Sequence, residues 1–256
     1  LLDTVIECNK NKKACFISYV TTGDPNLSMS KKILETLALN GVDIIELGVP
    51  FSDPISDGPT IQKATERSLK NNITIDDSLK LIKNFRLKYK TPIILFGYFN
   101  PFLQYGLERI MKSIKKAGGD GVLIVDLPPE EAEETQKAVN KAGIELVYLI
   151  APTSTDERIN TIAKLSNSFI YLVSVTGVTG IRKNLDSNLK KFILEVKKKT
   201  KKPVCVGFGV SKSEHVNQLK KMSNGIVIGS AIIKIIEDNL KDKPKIIRKI
   251  GDFVRK

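Results

Sequence analysis

The stretch that decides the fold runs from residue 42 to residue 59, Val-Asp-Ile-Ile-Glu-Leu-Gly-Val-Pro-Phe-Ser-Asp-Pro-Ile-Ser-Asp-Gly-Pro. Its first six residues are typical of a buried strand, and the glycines and prolines that follow are typical of a loop. Side chains alternate between the two faces of a strand, so Ile44 and Glu46 share one face. An ionised Glu46 in an apolar interior is costly, and we therefore expect its pKa to be raised. Such a carboxyl can both give and take a proton near neutral pH.

Seven further apolar runs resemble the first. Together the predicted strands are Cys15–Val20, Val42–Leu47, Pro92–Phe96, Val122–Asp126, Glu145–Ile150, Phe169–Ser174, Pro203–Phe208 and Ile226–Ile228. Segments with helical periodicity alternate with them, from Ser30–Leu39 to Lys243–Arg255. Eight such repeats in 256 residues predict an α/β fold, a single-domain (β/α)8 TIM barrel over residues 1–256. A doubly wound sheet is the alternative, but no GxGxxG follows the first strand.

Two of the predicted strand–helix connections are long. They follow strand 2, over residues 48–59, and strand 6, over residues 175–187. Barrel active sites are built from these loops, and the loops after strands 7 and 8 often hold a phosphate. Gly207-Phe208-Gly209 and Gly229-Ser230 occupy those last two positions, so we expect a phosphate site there.

The composition excludes several classes of protein. The net charge is +13, but the lysine clusters lie far apart along the chain and accompany no nucleic-acid-binding motif. We interpret them as a solvated surface and expect neither nucleic acid nor membrane as a partner. Cys8, Cys15 and Cys205 show no CxxC spacing, so we expect no disulfide framework and no metal site. The amino terminus lacks the order of a signal peptide, which indicates the cytoplasm or a plastid stroma.

Six motifs together match a known family. They are Glu46-Leu-Gly-Val-Pro-Phe-Ser-Asp-Pro-Ile-Ser-Asp57-Gly-Pro, Gly97-Tyr-Phe-Asn-Pro101, Asp126-Leu-Pro, Gly177-Val-Thr-Gly180, Gly207-Phe-Gly209 and Gly229-Ser230. Over nearly its whole length the chain resembles the tryptophan synthase alpha subunits. The resemblance implies cleavage of indole-3-glycerol phosphate to indole and glyceraldehyde 3-phosphate without a cofactor. It also implies a β subunit as partner, in an α2β2 assembly that passes indole to the β site.

The resemblance also implies roles for particular residues. Glu46 and Asp57 would be the catalytic acids. Aromatic and polar residues, mostly at strand ends, would contact the substrate: Tyr19, Tyr98, Asn100, Asp126, Tyr171 and Thr179. The phosphate would be held by Gly180, Gly207, Phe208, Gly209, Gly229 and Ser230. Val175 stands where family members often carry Arg, which bears on the gating of the second long loop and on dependence on the partner.

Chemistry explains the residue types that this reaction needs. Glu46, with a raised pKa, would protonate the indole ring and then accept the glycerol hydroxyl proton. Asp57, on a more polar loop, should stay ionised and accept the indole N–H. The segment Gly48–Phe51 lies between the two acids, and we expect it to contact the β subunit.

Two other classes of function remain open from the residues alone. One is another phosphate-binding barrel enzyme, such as a sugar-phosphate isomerase or the indole-glycerol phosphate synthase. The synthase would need a strand-end lysine, and none of the predicted strands ends in one. The other is a regulatory subunit without catalysis, which an indole-release assay would distinguish.

Overall fold

A computed structural model describes residues 1–173, 187–207 and 213–255. Its strands are β1 (Cys15–Thr21), β2 (Ile44–Gly48), β3 (Ile93–Gly97), β4 (Gly121–Ile124), β5 (Glu145–Ile150), β6 (Ile170–Val173), β7 (Val204–Gly207) and β8 (Gly225–Ile228). Each strand pairs in parallel with the next, and β8 pairs with β1, so the sheet is a closed barrel. This closure confirms the predicted (β/α)8 barrel and excludes the open, doubly wound sheet.

Helices surround the barrel. They are α1 (Leu2–Lys10), α2 (Leu27–Leu39), α3 (Pro59–Leu69), α4 (Ile75–Arg86), α5 (Phe99–Tyr105), α6 (Leu107–Ala117), α7 (Glu133–Ala142), α8 (Asp156–Leu165), α9 (Ser187–Lys199), α10 (Ser213–Lys220), α11 (Ser230–Glu237) and α12 (Lys243–Val254). Within the described ranges, no helix combines the length and the apolar character that crossing a bilayer requires.

The sequence pattern missed three helices, α1, α3 and α5. The long connection after β2 contains α3 as well as α4, so only its first part is a loop. Helix α3 escapes detection because its buried side chains are Ala64, Thr65 and Ser68, which form no apolar stripe.

Two predicted strands also differ from the observed ones by two residues at one end. Strand β2 begins two residues later than expected, and Asp43, just before it, uses its carboxylate to accept the Phe16 backbone N–H at 2.8 Å. Strand β4 ends at Ile124, which leaves Asp126 in the following turn. Both aspartates thus bond backbone groups at the barrel rims instead of extending a strand.

The core has two layers separated by the sheet. Inside the barrel, alternate residues of the strands form one cluster: Cys15, Ile17, Ile44, Ile94, Leu123, Val147, Phe169, Cys205 and Val227. The other faces, including Ile45 and Leu47, pack under the helices. Because Ile44 belongs to the interior cluster, the pleat aims Glu46 into the barrel, as the sequence predicted.

Three lysine clusters that are distant in sequence lie on neighbouring turns. Lys10–Lys13, Lys197–Lys202 and Lys220–Lys221 precede β1, β7 and β8, which are consecutive strands of the closed barrel. Hydrogen bonds join these turns, from Asn9 Nδ2 to Asn224 O at 2.8 Å and from Lys197 Nζ to Met222 O at 3.2 Å. Most of these lysines are exposed, in agreement with a solvated surface. The three clusters are therefore far apart along the chain but close together in space.

Helix α3 is held against the loop after β1 by a buried ion pair. Arg67 donates to both oxygens of Asp24, at 2.7 and 2.9 Å, and the Asp24 side chain is fully buried. The next residue, Ser68, donates to the Thr22 carbonyl. Since α3 begins two residues after Asp57, these contacts fix the far end of the segment that carries this acid.

Replacing Arg67 with Met should destabilise the protein strongly. The substitution leaves the Asp24 carboxylate buried without its counter-charge, a defect that costs about 3–5 kcal/mol in other proteins. Urea unfolding at neutral pH measures the change in the free energy of unfolding. The matched control is Lys234→Met, which removes surface ion pairs with Glu237 and Asp238 and should change stability little. Equal effects of the two substitutions would contradict the proposed anchor.

Candidate active site

Glu46 occupies the upper layer of the barrel interior. It lies on β2 between Tyr19 of β1 and Ile94 of β3, which are its partners in the strand register. The residue is only 1% exposed, and its Oε1 has no hydrogen-bond partner among the described residues. Burial raises the pKa of Glu46 to about 8, which confirms the expected direction. The carboxyl group therefore carries a proton over most of the neutral range.

Two tyrosines lie close to Glu46 inside the barrel. Tyr19 is buried and Tyr171 partly buried. Desolvation, with the negative charge of Glu46 as a further cause, raises the pKa of each hydroxyl. Their rings fit only because glycines face them. A Cβ at Gly48 would lie 2.7 Å from Tyr19 Cζ, and one at Gly207 would lie 2.5 Å from Tyr171 Cε1. These glycines therefore provide space for the tyrosine rings.

Apolar side chains complete the wall of the pocket. Phe96, Val125 and Leu149 pack against the interior cluster but are only partly buried. The Phe96 ring meets Tyr19 edge-on, with centroids 5.2 Å apart. These three residues are not among the site residues predicted from the sequence. Strand alternation was the available signal, because they follow the interior residues Ile94, Leu123 and Val147 by two positions.

Asp57 lies at the rim of this pocket, and Tyr98 holds its loop. The Tyr98 hydroxyl accepts the Ser56 N–H at 3.0 Å and donates to the Asp57 carboxylate. Phe51 packs on the Tyr98 ring, with centroids 5.2 Å apart. Burial raises the pKa of Asp57 to about 6, although the Tyr98 hydrogen bond opposes this shift. Asp57 is thus less acidic than expected for a polar loop, yet still ionised at pH 7.

A helix N-terminus closes one side of the site. Helix α11 begins at Ser230 directly after β8, with Gly229 as its N-cap residue. The first N–H groups of a helix have no partner within it and attract anions. Gly229 also lies against Tyr19, since an added Cβ would be 3.1 Å from that residue's Cβ. An anion at this helix would therefore lie beside the pocket of Glu46.

The remaining predicted site residues fall into two groups. Asn100 and Asp126 are exposed, and the Asp126 carboxylate accepts the Phe99 N–H at 2.7 Å, at the start of α5. Other predicted positions lie outside the described residues: Val175, Thr179, Gly180, Phe208 and Gly209.

The two acids differ in the chemistry they can perform. At neutral pH Glu46 is mainly a proton donor in an apolar pocket, whereas Asp57 is mainly a carboxylate at its rim. Two acids whose environments separate their pKa values can serve as general acid and as charge stabiliser in one reaction.

Comparisons with known protein sequences agree on one family. The family model described as "Tryptophan synthase alpha chain" matches residues 5–256. The tryptophan synthase alpha chain of Geotalea daltonii is 43% identical over 235 residues, covering 92% of this chain and 89% of the relative. That of Citrifermentans bemidjiense is 40% identical over 252 residues, covering 98% and 94%.

Solved structures agree with the sequence relatives. Tryptophan synthase subunit alpha from Legionella pneumophila matches with a TM-score of 0.92 at 35% identity, covering 99% of this chain and 94% of that one. A chain from the tryptophan synthase a2b2 complex of Pyrococcus furiosus matches with a TM-score of 0.89 at 38% identity, covering 94% and 97%.

The buried Glu46 should make stability depend on pH, and Glu46→Gln should remove that dependence. The folded pKa, about 8, exceeds the ordinary value of 4.5, so the folded state holds a proton that the unfolded state has released. The contribution of Glu46 to the free energy of unfolding is therefore complete below pH 4.5 and is lost as the pH rises towards 8. Relative to wild type, Glu46→Gln should gain stability steadily across that window, as measured by urea unfolding. Glu195→Gln, at an exposed site on α9, is the control. An equal gain in stability in this variant would show that the pH dependence does not come from the burial of Glu46.

Proposed function

The chain belongs to the tryptophan synthase alpha chain family, and from that membership we infer that it catalyses the α reaction. It is a carbon–carbon lyase that cleaves indole-3-glycerol phosphate to indole and glyceraldehyde 3-phosphate in tryptophan biosynthesis. One observation supports this chemistry above all others: a protonated carboxyl, Glu46, is buried in an apolar barrel pocket. None of the eight strands ends in a lysine, which separates the site from that expected for the indole-glycerol phosphate synthase.

We propose that Glu46 performs both proton transfers. The protonated carboxyl donates to C3 of the indole ring, which turns the ring into an electron acceptor. The resulting carboxylate then takes the proton of the glycerol C3′ hydroxyl as the carbon–carbon bond breaks. Indole leaves with the donated proton, glyceraldehyde 3-phosphate forms its carbonyl, and Glu46 regains its starting state. A pKa of about 8 suits both directions of transfer near neutral pH.

Asp57 is proposed to stabilise the charge that this protonation creates. Protonation at C3 places positive charge on the ring nitrogen, and an ionised Asp57 would accept the N–H hydrogen bond. The hydrogen bond from Tyr98 holds the carboxylate in place and favours its ionised form. The partly desolvated position makes this interaction stronger than it would be in water.

The pocket offers each part of the substrate a suitable environment. Phe96, Val125, Leu149 and the two tyrosines, Tyr19 and Tyr171, provide an apolar slot for the planar indole. The N-terminus of α11, at Gly229 and Ser230, is proposed to bind the phosphate together with Gly207. Gly180, Phe208, Gly209 and Thr179 are proposed by resemblance alone. The same holds for Asn100 and Asp126 as substrate contacts.

The pH dependence of indole release should report on both acids. Activity requires Asp57 ionised and Glu46 protonated, so kcat/KM should fall below a pH of about 6 and above about 8.

Glu46→Gln should lose at least about 100-fold in kcat and retain substrate binding, because only proton transfer is removed. Asp57→Asn should lose rate together with the acidic limb of the profile. A spectrophotometric indole assay over a range of pH measures kcat and KM for the wild type and for both variants.

Three results would contradict these roles. If Glu46→Gln keeps more than about a tenth of the wild-type kcat, the loss is too small for a general acid–base group. A defect of Asp57→Asn confined to KM indicates uniform binding instead of transition-state stabilisation. Absence of indole release by the wild-type chain, alone and with a β subunit, would favour the regulatory function.

The partner is a tryptophan synthase β subunit, in an α2β2 assembly like that of the similar Pyrococcus furiosus protein. The segment Gly48–Phe51, which we expected to contact it, faces inward: Val49 is 7% exposed, and Phe51 packs on Tyr98. The outward-facing apolar residue of this loop is Ile55, 86% exposed on the active-site side of the barrel. We therefore propose Ile55 as the partner contact, with Phe51 linking it to Tyr98 and Asp57.

Ile55→Ser should weaken assembly with the β subunit by removing an exposed apolar contact. Titration of the β subunit against the chain, followed by indole release and by sedimentation, measures both activation and complex formation. Leu39→Ser is the matched control, since Leu39 is 72% exposed at the end of α2, on the opposite face. Unchanged affinity in Ile55→Ser would exclude this contact.

A reducing compartment, the cytoplasm or a plastid stroma, is our proposal for the place of action. The three cysteines are free thiols, and they support such a setting. We also propose that residues 1–256 act as one domain, since helices from both ends of the chain, α12 and α2, pack side by side.

A further inference from the structure

Two cysteines and an aspartate meet at the end of the barrel opposite the proposed active site. Cys8 lies on α1, Cys15 opens β1, and Asp43 directly precedes β2. Their sulfur and carboxylate oxygen atoms all lie within 4.8 Å of one another. The three residues are 7 and 28 positions apart along the chain, and the sequence pattern therefore predicted no metal site.

The backbone around each of these side chains is held by hydrogen bonds. The Cys8 carbonyl accepts the Lys13 N–H at 2.9 Å, and the Cys15 N–H donates to the Asn224 carbonyl at 2.9 Å. The Asp43 N–H donates to the Phe16 carbonyl, also at 2.9 Å. The three groups thus converge on a common point from a rigid frame, so binding an ion requires little reordering of the chain.

The burial of the cluster is uneven. Cys15 is fully buried, whereas Cys8 is only partly buried and the Asp43 side chain is 18% exposed. The cluster is therefore closed on the barrel side and accessible from solvent on the other. An ion can enter there, and water can complete its coordination.

The donor set determines the class of ion. Two sulfurs and one carboxylate oxygen suit a thiophilic divalent cation such as Zn²⁺, which takes Cys and Asp ligands in tetrahedral sites. A carboxylate offers about four acceptor positions. Asp43 uses two for Lys13 Nζ at 2.9 Å and Phe16 N at 2.8 Å, and it also accepts a hydrogen bond from the Cys8 thiol, which ends when that thiol loses its proton to the ion.

Charge also balances in both states of the cluster. Without an ion, Lys13 neutralises Asp43 and the two thiols are neutral. On binding, two thiol protons pass to solvent, and the divalent cation compensates the two thiolates. We propose that Cys8, Cys15 and Asp43 form a binding site for a thiophilic divalent cation, with water as the fourth ligand.

Such an ion would join α1 to β1 and to the turn before β2. Because it binds the folded arrangement and not the dispersed ligands, it stabilises the folded chain by an amount that grows with the logarithm of its concentration above Kd. The site lies at the amino-terminal end of the strands, away from Glu46 and Asp57. Its role is therefore structural and separate from the cleavage reaction.

Titration of the fully reduced protein with Cd²⁺ or Zn²⁺ tests the site. Cd²⁺ should produce thiolate-to-metal charge-transfer absorption in the ultraviolet that saturates at one ion per chain. Zn²⁺ added in excess should compete with Cd²⁺ and reduce this band, and Zn²⁺ alone should raise Tm. Cys8→Ser, Cys15→Ala and Asp43→Asn should each weaken binding at least about 10-fold. Cys8→Ser alters a partly exposed position and keeps the test valid if Cys15→Ala folds poorly.

Cys205→Ala is the matched control, because this third thiol is buried but lies outside the cluster. It should retain wild-type stoichiometry and affinity. The proposal is overturned by the absence of a saturable cadmium band in the reduced wild type, by equal affinity in Cys8→Ser, or by loss of binding in Cys205→Ala alone. Recovery of the protein only as a Cys8–Cys15 disulfide, with no cadmium band after reduction, also overturns it.

Discussion

Pairing of the first strand with the last, in the register Cys15 to Gly225 through Ser18 to Ile228, is the constraint on which this structure depends. Once the sheet closes, one face of every strand must fill an enclosed interior, and all strand ends of one polarity meet at one rim. Glu46, Asp57 and the N-terminus of α11 converge at the carboxyl rim. Cys8, Cys15, Asp43 and three lysine clusters converge at the amino rim.

Closure also explains why two carboxyl groups of one short segment differ. Glu46 belongs to the strand and is enclosed by apolar side chains and tyrosine rings, so its neutral form is favoured. Asp57 follows the strand by a loop and meets the Tyr98 hydroxyl, which partly offsets the effect of burial. Two acids eleven positions apart thus differ in charge at neutral pH, as the proposed mechanism requires.

The loop between these acids is held at both ends. Phe51 and Ser56, near its two ends, contact Tyr98 directly after β3. Arg67 and Ser68 attach the following helix, α3, to the loop after β1. Ile55 is left outside this packing and faces solvent. Contact with a partner at Ile55 would act on a loop whose other contacts include Asp57. Such a contact would give the proposed β partner a short physical route to Asp57.

The sequence by itself determined the repeat, the class of fold and the interior direction of Glu46, because these depend on strand periodicity and local composition. It also predicted roles for Asp57, Tyr98 and the α11 terminus, of which Asp57 belongs to a long and specific motif. Only the tertiary structure decided which distant residues share a surface. Phe96, Val125 and Leu149 line the pocket, and Cys8, Cys15 and Asp43 form a cluster, because barrel closure brings separate strands together. Spacing along a chain does not encode that proximity; the packing of the whole sheet does.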